Sequence, residues 1–276
     1  YLENNIMKVC FFSHGSGTNQ DGATLSMLNV MEELANRGHE VIGIMAKDVN
    51  LEYMKKIKNV KFYFIPSYDM RLDLSRTGRE VELKYFVKNK LNWFIMQRTL
   101  KIFKNENIDI IHINGLNNGI GAMIAQKLGI PYVWHIRQLM EEDLHQRLYN
   151  QKKVWPMVKS ANAVIAISKA VKEKFEKEFN REITVVYNGV PVEKYQINNH
   201  SIFDEELVKM VLPGRIVEGK GQLEAAKALK YLVDNGIKNV KLILVGHRQS
   251  TYAQEVEEFV EKNDISSYIE IQEHNA

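Results

Sequence analysis

Two segments of the sequence pair glycine with groups able to hold an anion. Gly214-Arg215-Ile216-Val217-Glu218-Gly219-Lys220-Gly221 places two cations and three glycines between an apolar run and a helical pattern. Arginine grips a diphosphate through two parallel hydrogen bonds, and lysine adds a compact charge. The plain alternative is a solvated loop with incidental charges. The earlier segment, Ser13 to Thr24, carries Gly15, Gly17 and Gly22 ahead of another helical pattern. Glycine lets the backbone approach a ligand closely, and a helix N-terminus offers unpaired N–H groups to an anion. The spacing is not G-x-G-x-x-G and no Gly-Lys-Ser/Thr follows, so the dinucleotide fingerprint and the P-loop both fail. A tight turn between strand and helix is the alternative there. His135 ends the apolar run Tyr132–Ile136 and is followed by Arg137, while His112 and Asn114 end the run Asp109–Ile113. Polar residues at the ends of apolar strands point to a cleft at a sheet edge, although a lone histidine held by a backbone carbonyl reads the same way.

The elements that position these residues form an alternation. Apolar runs at Val9–Phe12, Val41–Met45, Val60–Ile65, Asp109–Ile113, Tyr132–Ile136, Ala163–Ile167 and Ile183–Tyr187 read as strands. Helical patterns cover about 24–37, 78–105, 118–128, 139–160 and 168–179, with Ser168 as an N-cap and Gly38 as a C-terminal stop. Continuous apolar strands separated by helices indicate a parallel sheet covered on both faces. Asn188-Gly189-Val190-Pro191 breaks this pattern, and the domain boundary is placed in the polar stretch that follows, giving domains 1–195 and 196–276. The construction then restarts with strands Met210–Leu212, Val240–Val245 and Tyr268–Ile271 and helices Gln222–Asn235 and Tyr252–Lys262.

Composition removes several classes. With 276 residues, 45% hydrophobic and 26% charged, the chain is an ordinary folded protein rather than a disordered one. A formal charge of +3 is too small to announce a nucleic-acid binder. The one cysteine, Cys10, has no intramolecular disulfide partner, and no Cys/His spacing of a zinc site is present. A reducing cytoplasm fits. No run approaches the roughly 20 apolar residues that cross a bilayer. Met7-Lys8 leads into only four apolar residues, too few for a signal peptide, and Met7 reads as the native start.

In order and spacing the motifs resemble the retaining glycosyltransferases of the GT-B fold, specifically glycosyltransferase family 4. They are Met7-Lys8-Val9 with the glycine loop ending Gly22-Ala23, Asp109-Ile110-Ile111-His112-Ile113, Val133-Trp134-His135, Ala163–Ser168, Val186-Tyr187-Asn188-Gly189-Val190, Gly214-Arg215 with Lys220-Gly221, and Leu244-Val245-Gly246. The resemblance implies an α/β architecture of two Rossmann-like doubly wound parallel-sheet domains facing a cleft: an N-terminal acceptor-side domain and a C-terminal nucleotide-sugar-binding domain. It assigns the donor diphosphate to Arg215 and Lys220, and an active-site role beside the transferred sugar to His135. Gly17, Gly22, Ala23, Asn114, Arg137, Gly214, Gly221 and Gly246 are the implied substrate-binding positions. The family's late Glu-x7-Glu motif has no counterpart at the right place, and three strands are few for a second domain, so the second domain is expected to be incomplete here.

The implied reaction moves a sugar from a nucleoside diphosphate to a hydroxyl acceptor, a carbohydrate or a lipid-linked one, in glycan or cell-envelope polysaccharide synthesis. No metal or other cofactor is expected, since the sequence contains no Asp-x-Asp pair. Two other readings stand beside it: a non-catalytic nucleotide-sugar-binding subunit and a nucleotide-sugar epimerase on the same fold. The segment Lys84–Lys104 interleaves six cations with Tyr85, Phe86, Trp93, Phe94 and Phe103. It reads either as a helix covering the sheet or as a peripheral contact at the inner face of a membrane. Glu141-Glu142-Asp143 reads as a solvated first helical turn, or as a base near His135.

Overall fold

A computed structural model describes residues 6–13, 22–46, 54, 57–190, 192, 206–247 and 250–273. The chain divides into two compact units, Tyr1–Val190 and Pro191–Ala276. The expected boundary at 195/196 lies outside the described residues.

The first unit is built from β1 (Lys8–Ser13), α1 (Gly22–Asn36), β2 (Glu40–Met45), β3 (Val60–Phe64), β4 (Arg71–Asp73), α2 (Arg79–Phe103), β5 (Ile110–Asn114) and α3 (Ile120–Leu128). It continues with β6 (Tyr132–Ile136), α4 (Met140–Leu144), β7 (Gln146–Leu148), α5 (Gln151–Lys159), β8 (Ala163–Ala166), α6 (Lys169–Phe179) and β9 (Thr184–Val185). Seven strands form one sheet in the order β3-β2-β1-β5-β6-β8-β9, every pairing parallel. Successive side chains of β1 enter different cores, as the two-residue period of a strand requires. Cys10 and Phe12 pack with Met96, Phe103 and Ile124, whereas Val9 and Phe11 pack with Met27, Leu28 and Met31 of α1. Both faces of this sheet are therefore covered, as expected for continuous apolar strands. Ser168 caps α6, its Oγ accepting the Val171 N–H at 3.3 Å.

Two expectations change here. The helical pattern over 139–160 is two short helices separated by β7, because His145 adopts a left-handed conformation (φ 53°) that closes α4 after five residues. The strands before residue 190 number nine among the described residues rather than seven, because β4 and β7 pair antiparallel through Arg71–Leu148, Leu72–Arg147 and Asp73–Gln146. These three-residue strands are mostly polar and carry no apolar run for a sequence reading to find.

The second unit contains β10 (Val208–Pro213), α7 (Gln222–Asp234), β11 (Val240–Val245), α8 (Thr251–Lys262), a 3-10 turn at Ser266–Tyr268 and β12 (Ile269–Gln272). Its three strands are parallel in the order β10-β11-β12. Val240, Leu242 and Leu244 bury against Leu223, Ala226 and Leu229 of α7 and Ala253, Val256 and Val260 of α8. The alternate residues Lys241, Ile243 and Val245 are only half-buried. Among the described residues no helix is long and apolar enough to cross a membrane.

Candidate functional site

In the first unit the strand order reverses between β1 and β5, and ligands of open parallel sheets bind outside the carboxyl ends of strands at such a point. Parallel register lines up residues at the carboxyl ends of three strands, Ser13 beside Asn114 and Asn114 beside His135. Gly115 N–H closes this edge by donating to the His135 carbonyl at 2.8 Å. Just beyond β6, Arg137 is buried with 6% of its surface exposed. Its Nε donates to Asn114 Oδ1 at 2.7 Å, and its Nη1 donates to Asn188 Oδ1 at 2.7 Å and to Ser26 Oγ at 3.1 Å. Ser26 Oγ in turn donates to Asn188 Oδ1 at 2.8 Å, and Asn114 Nδ2 reaches the Ala23 carbonyl at 3.4 Å. Ala23, Asn114 and Arg137, separately expected in a binding site, thus belong to one network that fixes the start of α1 against β5 and β6.

His135 lies beside this network without joining it. Both of its ring nitrogens are buried and find no hydrogen-bond partner among the described residues, and the same holds for His112 Nε2. The two rings lie 5.4 Å apart, and His112 stacks on Phe11 at 4.7 Å. Burial, and then the Arg137 charge, push His112 down to about 3. Burial, Arg137 and His112 together push His135 down to about 2. Both imidazoles are therefore neutral at physiological pH, and each ring carries one N–H donor and one acceptor nitrogen. With no partner among the described residues, His135 is not held by a backbone carbonyl there. An unpaired buried polar atom is worth about 1–3 kcal/mol to whatever satisfies it. Glu142 pairs with Lys174 at 2.7 Å, so it is engaged with α6 rather than with His135.

Gly22 opens α1, and the space where a Cβ would stand is empty. Gly17, with the rest of the loop 14–21, lies outside the described residues. Two contributors escaped the sequence reading. Ser26 sits one turn into α1, where nothing local distinguishes it from a solvated serine. Asn188 follows the two-residue strand β9 and was legible only as part of a family motif.

In the second unit, Gly214, Arg215, Lys220 and Gly221 lie on the connection from β10 to α7, beyond the strand's carboxyl end. The backbone here is tightly specified. A Cβ at Gly246 would stand 1.9 Å from the Gly214 carbonyl oxygen, so the residue after β11 must be glycine for the loop to pass. Gly246 thus serves backbone packing first. Ile216 is buried beneath the loop, its N–H donating to the His247 carbonyl at 3.1 Å, and Gln222 Nε2 donates to the Arg215 carbonyl at 3.0 Å. Gly221 is the N-cap of α7 at φ 81° and supplies no capping side chain of its own; the Tyr252 hydroxyl accepts the Leu223 N–H instead. The Arg215 and Lys220 side chains are exposed and form no ion pair among the described residues.

A cavity of about 590 Å³ opens on the helix side of the same loop, lined by Glu218, Glu224, Thr251, Tyr252 and Glu255. Three carboxylates repel a diphosphate, and the Tyr252 hydroxyl already accepts the Leu223 N–H at 3.1 Å. The cations Arg215 and Lys220 are not among the residues that line the cavity. Among the described residues no group of His, Cys, Asp and Glu is arranged to hold a metal ion.

No curated protein sequence matches the chain. Solved structures do. Anabaena HepE in complex with UDP-glucose is 16% identical with a TM-score of 0.70, the match covering 98% of this chain and 70% of that one. A glycosyltransferase from Rickettsia africae is 16% identical with a TM-score of 0.64, over 99% of this chain and 69% of that one. The lipopolysaccharide outer core galactosyltransferase WaaB, in its apo form, is 15% identical with a TM-score of 0.62, over 98% and 69%. At these identities the likeness establishes the fold, which is GT-B, with the second domain represented only in part relative to those longer chains. Residues 20–194 match the model of Glycosyltransferase Family 4, and the chain belongs to that family.

Proposed function

We propose that this glycosyltransferase moves a sugar from a nucleoside-diphosphate sugar to a hydroxyl acceptor with retention of configuration, without a metal, in cytoplasmic assembly of a glycan or cell-envelope polysaccharide. The observation that carries the reading is the pair of exposed cations, Arg215 and Lys220, on a backbone-locked glycine loop that opens α7. Breaking the bond between the anomeric carbon and the phosphate oxygen leaves an oxocarbenium-like sugar and a diphosphate with one more negative charge. Arg215, Lys220 and the positive end of the α7 dipole stabilise that leaving group as its charge develops, the term that usually contributes most to such catalysis. The acceptor oxygen attacks the face that the phosphate leaves, and its proton passes to the departing phosphate oxygen, so no enzyme nucleophile is needed. His135, neutral and with two unpaired nitrogens, fits a hydrogen bond to a sugar hydroxyl rather than proton transfer from an imidazolium. HepE was solved with UDP-glucose, which supports a uridine donor among those to be tried first. Cys10 is buried, and burial followed by the Glu106 charge raises its thiol pKa, so it takes no part.

The test is thermal melting against a panel of nucleoside diphosphates and their sugars, followed by assay of nucleoside diphosphate released in the presence of hydroxyl acceptors. At least one nucleotide sugar raises the melting temperature, and Arg215→Ala removes that rise. A chain that binds no member of the panel overturns the proposal; one that binds but never turns over is a donor-binding subunit instead.

A further inference from the structure

Helix α2 (Arg79–Phe103) is amphipathic in the wrong sense for a helix that only covers a sheet. Its buried residues are Tyr85, Asn92, Met96, Thr99 and Phe103, which share one face at helical spacing. The two polar ones are satisfied on that side: Asn92 exchanges hydrogen bonds with the Tyr68 backbone, both at 2.8 Å, and Thr99 donates to the Ile95 carbonyl at 2.8 Å. Away from that face Leu83, Phe86, Val87 and Phe94 are exposed to solvent, with Leu91 and Trp93 exposed on its two flanks. Leu83 is 64% exposed, Phe94 59% and Phe86 52%. Contiguous apolar surface of this kind is rare on a soluble protein without a partner.

The charges on the same helix are one-sided. From Leu83 to Lys104 the chain has Lys84, Lys88, Lys90, Arg98, Lys101 and Lys104 and no carboxylate; Glu80 and Glu82 are confined to the first turn. Lys88 turns inward to the Asp69 carbonyl at 3.1 Å, but Lys90 Nζ lies 5.5 Å over the Phe86 ring, so cation and aromatic occupy one surface.

We propose that this face of α2 rests on an anionic lipid bilayer, with Leu83, Phe86, Trp93 and Phe94 entering the boundary between headgroups and acyl chains and the cations holding lipid phosphates. Charge decides the occupant. A second copy of the same face sets cations against cations, whereas an anionic headgroup layer neutralises them. The helix is not apolar enough to span a bilayer, so it lies in the interface.

The experiment is co-sedimentation of the whole chain with vesicles of phosphatidylcholine alone or mixed with phosphatidylglycerol, at low and high salt. The chain pellets with the anionic vesicles and not with the neutral ones, and salt weakens the binding because it screens the charges. Phe86→Glu with Phe94→Glu lowers the partition coefficient at least about tenfold, and Lys90→Gln and Lys101→Gln lower it about fivefold each. All four residues are exposed, so the melting temperature is unchanged. No pelleting at low salt, or pelleting indifferent to Phe86→Glu with Phe94→Glu, overturns the proposal. So does a dimer in solution that those changes dissolve while vesicle binding is absent, which assigns the face to a second copy of the chain.

Discussion

Arg137 and Arg215 both follow the carboxyl end of a parallel strand, and the fold treats them in opposite ways. Arg137 is buried and tied to Asn114, Asn188 and Ser26. Arg215 is exposed, and among the described residues its backbone alone is held, through Gln222. In the first unit rigidity resides in side chains, which join α1, β5 and the segment after β9 into one polar floor. In the second it resides in the backbone, where Gly246 and Gly214 pass in contact while Arg215 and Lys220 stay exposed. Under the proposed function, a preorganised wall suits an uncharged sugar, and exposed cations on a fixed loop suit a diphosphate whose charge grows during reaction.

This contrast is open to direct attack. Gly246→Ala has the largest expected effect, because its Cβ would overlap the Gly214 carbonyl and force the loop to move. A loss of about 3 kcal/mol or more is expected in chemical denaturation, and an unchanged midpoint would show that the backbone is not what holds the loop. Arg215→Ala is the next largest and has the opposite character. Transfer falls by about two orders of magnitude, about 2.7 kcal/mol in the barrier, while the melting temperature is preserved. Activity that survives this change removes Arg215 from the donor site. Arg137→Met leaves Asn114, Asn188 and Ser26 without their shared donor and lowers stability by about 2 kcal/mol. If it melted like the parent, the side-chain network would not be the source of the first unit's rigidity.

The last test is in pH. His112 and His135 are held near 3 and near 2 in the folded chain, mainly by burial, whereas an unfolded histidine titrates near 6.5. Below about pH 6.5 the unfolded chain therefore takes up protons that the folded chain refuses. The stability conferred by neutral histidines is complete above that pH and declines as pH falls, by about 1.4 kcal/mol per pH unit for each histidine. Denaturation at pH 7 and pH 5 measures the slope in a window above the range where carboxylates titrate, and His112→Asn should halve it.

Much of the scaffold was legible because it is repetitive. β6 and β11 were read to the residue, since both are mostly apolar runs, each with one polar residue, bounded by turn residues. Ser168 was legible as a cap because the requirement is local, a side-chain oxygen three residues before an N–H. β4 and β7 were not, because Arg-Leu-Asp and Gln-Arg-Leu become strands only by pairing with each other. Ser26 and Asn188 meet although 162 residues separate them, and no local pattern encodes that contact.

The sequence by itself determined the alternation of strands and helices, the point at which the construction restarts, and the residue types available at the strand ends. These follow from side-chain periodicity and from the short reach of caps and turns. Tertiary structure alone decided which polar groups lose water and which keep it. The same arginine side chain becomes a buried tie at 137 and an exposed cation at 215, and a histidine becomes a neutral buried ring at 135 whose nitrogens find no partner among the described residues. Burial and long-range pairing are properties of the packed chain, set by neighbours that the local sequence does not contain.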